Sequence, residues 1–289
     1  MSDTPNSTGG RLLDKYAGPL VAHLLLIGLW QVVASLPSMP TYILPSPLET
    51  LATLGDEGND WIANTAVTAT EIVGGFVIAV IVGVAIALIF SWSRRTLEWG
   101  MPLLVTLNMI PKVALGPIII VWMSYGISTN TVIAFTICFF PIVITTSRGL
   151  SEVEPEMLYL ARSLRASKWQ IFTKIQFPGA LPYVFSGMKV AAVLAVAGAI
   201  VGEFIGSERG LGYLMLQVQI NLDTATMFMC VLLISLIGML LAIQLVFGLV
   251  FGGSLDWVAD LAGFVTGFGL TVVLVPGGWT RLLARFRRQ

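Results

Sequence analysis

Long apolar runs constrain this chain more than any other feature of its sequence. Six of them approach or exceed the roughly 20 residues that a helix needs to cross the hydrocarbon core of a bilayer. Inside lipid every backbone N–H and C=O group must be paired within the protein, so such runs are predicted to be helices. The expected fold class is all-α, a polytopic membrane protein with about six transmembrane helices. The runs are Leu20–Leu36, Ile62–Phe90, Met101–Trp122, Thr131–Ser147, Pro182–Phe204 and Thr226–Phe251.

The small share of charged residues excludes a soluble enzyme. Charged types make up 11% of the 289 residues and hydrophobic types 56%, and the mean hydropathy is +0.87. A soluble domain carries roughly 25% charged residues, so too little charge is present here to cover a water-facing surface. The 16 basic and 16 acidic residues balance to a net charge of zero, which gives no indication of a nucleic-acid partner.

The distribution of lysine and arginine predicts the orientation of the runs. Arg11 and Lys15 precede the first run, Arg94 and Arg95 lie between the second and third, and five further bases lie within residues 148–174. Basic residues concentrate in cytoplasmic loops, so these three regions are expected on the cytoplasmic side. We therefore predict a multi-pass protein of the plasma membrane, the bacterial cytoplasmic membrane, with a cytoplasmic N-terminus.

Three regions follow from this pattern. Residues 1–19 are expected to form a cytoplasmic N-terminal tail, whose first ten residues we interpret as disordered, and residues 20–250 the transmembrane domain. Residues 251–289 hold a further apolar stretch, Val258–Val275, and a basic tail. A crossing by that stretch would place four arginines outside, which favours a re-entrant or interfacial segment over a seventh span.

Small residues recur every four positions on the second and fifth runs, a spacing that lets membrane helices approach closely. Two interpretations are open: the stripes pack within one chain, or one of them meets an identical subunit across a central pathway. The positions are Gly75, Ala79, Gly83 and Ala87 on the second run, with Gly187, Ala191, Ala195 and Ala199, and Gly198, Gly202 and Gly206, on the fifth.

The sequence carries no pattern of a catalytic centre. It has no G-x-x-x-x-G-K-[ST] phosphate loop, no Ser-His-Asp arrangement, no metal-ligand spacing and no pair of carboxylates with acid–base geometry. Cys138 and Cys230 lie inside apolar runs and are expected to be small core residues. We therefore predict no catalytic residue, no metal site, no cofactor bound by this chain, and no ATP hydrolysis by the chain alone.

Residues 151–180 form the one sizeable hydrophilic segment between the runs. Three glutamates are followed by a basic stretch in which Ala161, Leu164, Trp169, Phe172 and Ile175 recur at helical spacing. An amphipathic helix lying at the lipid headgroups would explain this pattern.

A second explanation comes from a family resemblance. The stretch "ARSLRASKWQIFTKIQFPGALP" resembles the coupling loop of ABC importer permeases, whose motif reads E-A-A, three residues, Gly, nine residues, Ile, one residue, Leu-Pro. Ala161 matches the second alanine, Ile175 the isoleucine and Phe177-Pro178 the Leu-Pro pair, whereas Tyr159 replaces the glutamate and Arg165 the glycine. Without that glycine, either a shifted turn or a continuous helix is expected. "IPKVALGPIIIVW", "LPSPLETL" and "GEFIGSERGLGYLM" are similar to the nitrate/sulfonate/taurine class of these permeases.

The resemblance implies a function and a set of partners. In this family, of the type I importer fold, two permease subunits form the translocation path, two cytoplasmic ATPases bind ATP and Mg²⁺ below it, and an extracytoplasmic protein delivers the solute. The second subunit is expected to be a copy of this chain. The loop would form a coupling helix over Ala161–Ile175 that docks on the ATPase. The residues implied in coupling are Ala161, Arg162, Leu164, Arg165, Ala166, Trp169, Phe172, Ile175 and Pro178, with Trp169 and Phe172 as the aromatic anchors.

Ionisable side chains inside the apolar runs are candidates for the pathway, because charge within a membrane is costly and often functional. Lys112 follows Pro111 in the third run, where it faces either an anionic solute or, by snorkelling, the membrane surface. Glu203 is interpreted as a gate or docking residue at the outer end of the fifth run. Asn108 and Met188 are weaker pathway candidates. A buried pair of Lys112 with Glu71 or Glu203 is a further possibility.

A small organic or inorganic anion or a vitamin precursor is the expected substrate. An alternative is a secondary active transporter, which would show inverted repeats with paired broken helices. No convincing internal repeat is present, and only the third run is clearly interrupted by proline.

Overall fold

The computed structural model describes residues 8–251, and every regular element in this part of the chain is a helix. The predictions for 251–289, including the stretch Val258–Val275, fall on residues outside the described part except for residue 251. The helices are α1 (Thr8–Ala34), α2 (Pro47–Ala52), α3 (Trp61–Trp92), α4 (Arg94–Asn108), α5 (Lys112–Met123), α6 (Ile127–Ser151), α7 (Pro155–Ser163), α8 (Lys168–Ile171), α9 (Phe177–Gly206), α10 (Leu211–Gln219) and α11 (Thr224–Phe251).

Within residues 8–251, four stretches are long and apolar enough to cross a membrane, and they confirm the all-α polytopic fold. They contain α3, α6, α9 and α11, which cover the second, fourth, fifth and sixth predicted runs. The first run lies in α1, whose apolar part is Val21–Ala34. α1 begins at Thr8, so residues 8–19 continue the helix instead of forming a tail. A helix pairs its own backbone groups wherever it lies, which allows it to extend beyond the apolar run.

The third predicted run is not one helix. α4 and α5 meet at an angle of 88°, with a break at residues 109–111. Pro111 has no N–H group to continue the α4 ladder, and its ring disfavours helical backbone at the preceding Ile110. The pair forms a broken span or a re-entrant loop, and its bend places the end of α4 next to the start of α5.

Backbone contacts divide the described residues into two units. The first takes in the described residues up to Ala66 together with Arg209–Ile234. Side chains tie its distant segments together: the Trp30 indole N–H donates to the Pro45 carbonyl at 3.0 Å, and the Thr224 hydroxyl to the Tyr42 carbonyl at 2.6 Å.

The second unit takes in Val67–Glu208 and the described residues from Ser235. Its core is the contact of α6 with α9, where small residues allow the helices to approach closely. A Cβ added at Gly198 would lie 2.7 Å from the Cα of Ala134, and one added at Gly75 would lie 2.6 Å from the Cβ of Ala134. Ala191, Ala195 and Ala199 are fully buried within the chain, as are Ala79 and Ala87 on α3. These stripes therefore pack within one chain.

α8 and α9 belong to one continuous helix. The five residues between them, Phe172–Gln176, form a single wider π-helical turn, so the helical stretch runs unbroken over the 39 residues of Lys168–Gly206. Insertions of this kind occur inside α-helices and frequently mark functional positions.

Candidate functional site

Lys112 and Asn108 meet at the bend between α4 and α5. The Lys112 ammonium donates to the backbone carbonyl of Asn108 at 3.0 Å and to the side-chain Oδ1 of the same residue. The last carbonyls of a helix have no partner within it, and a cation there also opposes the partial negative charge of the helix end. Lys112, the first residue of α5, therefore caps the C-terminus of α4.

A cavity of about 400 Å³ opens at this bend. Of its ten lining residues only Asn108 and Lys112 are polar, and the far wall is formed by Ile137, Phe140 and Pro141 of α6 with Leu194 of α9. An ammonium group has three N–H donors, and the bonds to Asn108 use two of them. Within the described part of the chain no carboxylate pairs with Lys112. The cavity thus offers one cation and an apolar wall, which suits a small anion with an apolar body.

The other two pathway candidates lie elsewhere. Met188 and Glu203 are both buried in α9, and neither lines the cavity. The Thr68 hydroxyl donates to Glu203 Oε1 at 2.6 Å, so this carboxyl lies in the packing between helices of the chain and not on an outer surface. Glu71 accepts from the Asn130 amide at 2.9 Å. Lys112 pairs with neither glutamate in the described residues.

Lys189 is a pathway candidate that the sequence reasoning missed. It lies in the apolar fifth run, and the structure leaves it exposed on α9. A charged side chain on the outside of a membrane helix rarely faces lipid and usually faces the interior of an assembly. The signal was present in the sequence as the one charged residue between Pro182 and Val201.

The coupling loop folds as two helices joined by a tight turn, not as one helix over Ala161–Ile175. α7 is closed by two hydrogen bonds, from the N–H of Ala166 to the carbonyl of Ala161 at 3.0 Å and from the N–H of Arg165 to that of Arg162 at 2.9 Å. This pair is the Schellman motif, whose turn residue is left-handed and usually glycine. Arg165 is that residue here, with φ = +56°. The turn therefore occurs where the family motif has its glycine.

A capping box at Ser167 starts α8, which follows α7 after the four residues 164–167. The N–H of Gln170 donates to the Ser167 hydroxyl at 3.2 Å, and the N–H of Ser167 donates to the Gln170 side chain at 2.8 Å. Such reciprocal bonds satisfy two otherwise unpaired donors and fix the entry into α8. The turn that precedes Trp169 is thus held by local hydrogen bonds at both ends, at the close of α7 and at the start of α8.

Two of the apolar side chains predicted to act in coupling are exposed. Leu164 is 74% exposed and Trp169 is 62% exposed, whereas Ala161 and Ile171 are buried. Phe172, the second predicted anchor, packs instead against the chain's own cluster of Ala87, Leu150 and Ala180. Its ring centroid lies 5.8 Å from that of Trp169. Phe172 therefore packs between Trp169 and the core, and we call the two exposed residues Leu164 and Trp169 the coupling patch.

Most of the remaining coupling candidates are exposed as well. Arg162, Arg165 and Pro178 are exposed, and Ala166 and Ile175 are half-buried.

Comparison with known proteins gives a consistent family. Residues 75–249 match the family described as binding-protein-dependent transport system inner membrane component. A probable ABC transporter permease protein of Haemophilus influenzae is 34% identical over 223 residues, which cover 77% of this chain and 91% of that protein.

Two further relatives are named for particular solutes. The formylaminopyrimidine transport permease protein ThiX of Halalkalibacterium halodurans is 30% identical, over 77% of this chain and 89% of the relative. The riboflavin transport system permease protein RibX of Chloroflexus aurantiacus is 32% identical, over 80% and 88%. The family match over residues 75–249 contains the bend, the coupling loop, α6 and α9. The chain therefore belongs to the permeases of binding-protein-dependent ABC importers: it is a multi-pass inner-membrane transport subunit, not an enzyme, of a family that works with an ATPase and a solute-binding protein.

Proposed function

We propose that two copies of this chain form the translocation path, and that two separate ATPase subunits bind ATP and Mg²⁺ and hydrolyse the nucleotide for them. A solute-binding protein delivers the substrate on the opposite side of the membrane. In this arrangement the N-terminus and the coupling loop are cytoplasmic, which the basic residues of alternate loops support.

The patch of Leu164 and Trp169 carries the coupling proposal. A large aromatic side chain held on a rigid element in water is the usual anchor of a protein interface. Arg162 and Arg165 beside it are exposed cations that suit acidic groups on the partner. The proposed role of Ala166, Ile175 and Pro178 is to hold this surface in shape, because Ala166 and Ile175 are half-buried and Pro178 lies in the first turn of α9.

Truncation of the anchor tests this function. We expect Trp169→Ala to lower co-purification of the ATPase at least tenfold, since a buried interface tryptophan commonly contributes about 2 kcal/mol or more. Trp122→Ala is the matched control, because Trp122 is also exposed, at 78%, but lies at the end of α5 outside the coupling loop. Pull-down from membranes that contain both subunits gives the measurement.

Two results would contradict the proposal. One is an ATPase that stays bound, with transport intact, in the Trp169→Ala variant. The other is ATP hydrolysis by the purified chain without any ATPase subunit.

A small organic anion is the substrate class that the cavity supports best. Lys112 supplies a positive charge with a remaining donor, and the walls from α6 and α9 supply apolar contact. An unpaired cation in a largely apolar site is stabilised when an anion occupies it. The relatives named for riboflavin and a formylaminopyrimidine keep a vitamin precursor as the second candidate class.

A further inference from the structure

Two glutamates lie in contact inside the second unit, away from the cavity and the coupling loop. Glu71 of α3 is 0% exposed and Glu203 of α9 is 1% exposed. Thr68, one helical turn before Glu71 on α3, donates to the Glu203 carboxyl, which places Glu203 beside Glu71. Both residues lie in helices long and apolar enough to cross the membrane, where ionised side chains are costly.

Each of the two acids accepts a hydrogen bond from a neighbouring side chain. The Thr68 hydroxyl donates to Glu203 Oε1 at 2.6 Å, and the Asn130 amide donates to Glu71 Oε1 at 2.9 Å. Glu71 Oε2 is buried and receives no hydrogen bond from a neighbouring donor. An ionised carboxylate can only accept, so two ionised carboxylates cannot bond to each other.

A proton on Glu71 resolves this arrangement. As an acid, Oε2 becomes a donor, and the adjacent Glu203 carboxylate is its acceptor. The groups that act on the Glu71 carboxyl are Glu203 from α9 and the neutral amide of Asn130 from α6. Two like charges in a low-dielectric interior repel each other strongly, so such a pair holds one proton between them.

We propose that Glu71 and Glu203 form a proton-binding site inside the membrane domain, in which the Glu71 acid donates to the Glu203 carboxylate. The bound proton links α3 to α9, and Asn130 extends the link to α6. The ligand of this site is a proton taken up from water, and the site is independent of the proposed substrate and of the ATPase docking surface.

Infrared spectroscopy of the full chain in lipid nanodiscs tests the proposal. At neutral pH we expect the stretching band of a protonated carboxylic acid, which shifts in D₂O. Glu71→Gln should remove this band and leave the melting temperature nearly unchanged, because the glutamine amide also donates to Glu203. Glu208→Gln is the matched control, since Glu208 is an exposed acid at the end of the segment Val67–Glu208 of the second unit. That variant should retain the band.

Glu71→Ala distinguishes the bound proton from simple packing. It removes the donor altogether and should lower the melting temperature well below that of Glu71→Gln. A wild-type spectrum without a D₂O-sensitive acid band would overturn the proposal. So would a band that survives in Glu71→Gln, or a Glu71→Gln protein as unstable as Glu71→Ala.

Discussion

Lys112 connects the backbone geometry of the bend with the chemistry of the cavity. It holds the end of α4 through Asn108 and presents its remaining donor among apolar side chains. Its position directly after Pro111 explains both roles, because the proline breaks the helix and the lysine begins the next one.

Removal of this charge should weaken transport of an organic anion. We expect Lys112→Gln to raise the half-saturating anion concentration at least tenfold, which corresponds to about 1.4 kcal/mol, whereas Lys112→Arg should retain more of the affinity. Uptake by proteoliposomes that contain the assembled transporter gives the measurement. Arg95→Gln, which removes an exposed charge from α4, is the control and should behave as wild type. Equal loss in the Arg95 and Lys112 variants would refute a specific role.

Arg165 occupies a backbone position that favours glycine. Its φ of +56° brings its Cβ close to the following carbonyl, at a cost of roughly 1 kcal/mol. Arg165→Gly should therefore stabilise the protein by about 0.5–1 kcal/mol, measured by thermal unfolding of the purified chain. The same substitution at Arg162, inside α7, should destabilise it by a similar amount, because glycine is a poor helix former. A loss of stability in both variants would show that the turn is not strained.

At the scale of single residues, the sequence indicates which charged side chains are unusual, but it does not predict which residues they contact. Asn108 and Lys112 were placed in the same run, yet their direct contact depends on the bend. Glu71 and Glu203 lie 132 positions apart, and only the packing of α3 against α9 brings them together. Local patterns indicate which side chains are unusual, whereas contacts between distant helices depend on how those helices cross.

At the scale of elements, close approach of α6 and α9 depends on the absence of side chains at particular positions. The Cβ that a substitution would add at Gly198 meets backbone, the Cα of Ala134, and backbone cannot rotate away. Gly179, at the start of α9, has nothing within 4 Å of the same position.

These two glycines give opposite expectations for one substitution. Gly198→Ala should destabilise the protein by about 1–3 kcal/mol through overpacking. Gly179→Ala should be neutral or stabilising by up to about 1 kcal/mol, because alanine is the better helix former. Unfolding of both variants in the same detergent gives the comparison. If Gly198→Ala leaves stability unchanged, the two helices do not pack as closely as described.

The apolar runs predicted five of the six helical regions well, because length and hydropathy are local properties. The third run failed as a single helix, since hydropathy continues through Pro111 while the backbone does not. The prediction of a single coupling helix was wrong for a similar reason. The apolar spacing of the loop continues from Ala161 to Ile175, but the left-handed Arg165 divides it. Spacing reports which face is apolar, not whether the backbone stays helical.

At the scale of the whole molecule, this chain performs its function only as part of an assembly. Its cavity carries one cationic side chain, its coupling residues Leu164 and Trp169 are exposed, and its sequence carries no phosphate loop. In the assembly proposed above, the solute would occupy the cavity and the ATPase subunits would supply the nucleotide site and cover the exposed coupling residues. The family could be identified from short motifs alone, whereas the lining of the cavity could not, because it depends on the bend.

The wide turn at Phe172–Gln176 has a mechanical consequence for that assembly. Trp169 lies near one end of a continuous helical stretch of 39 residues that reaches Gly206 without an intervening loop. A helix turns by about 100° per residue. If the π-helical turn moved along the helix by one residue, the residue that it passed would rotate relative to the neighbouring helices. In the proposed assembly, torque applied at Trp169 would therefore reach Gly206 as a rotation of the helix.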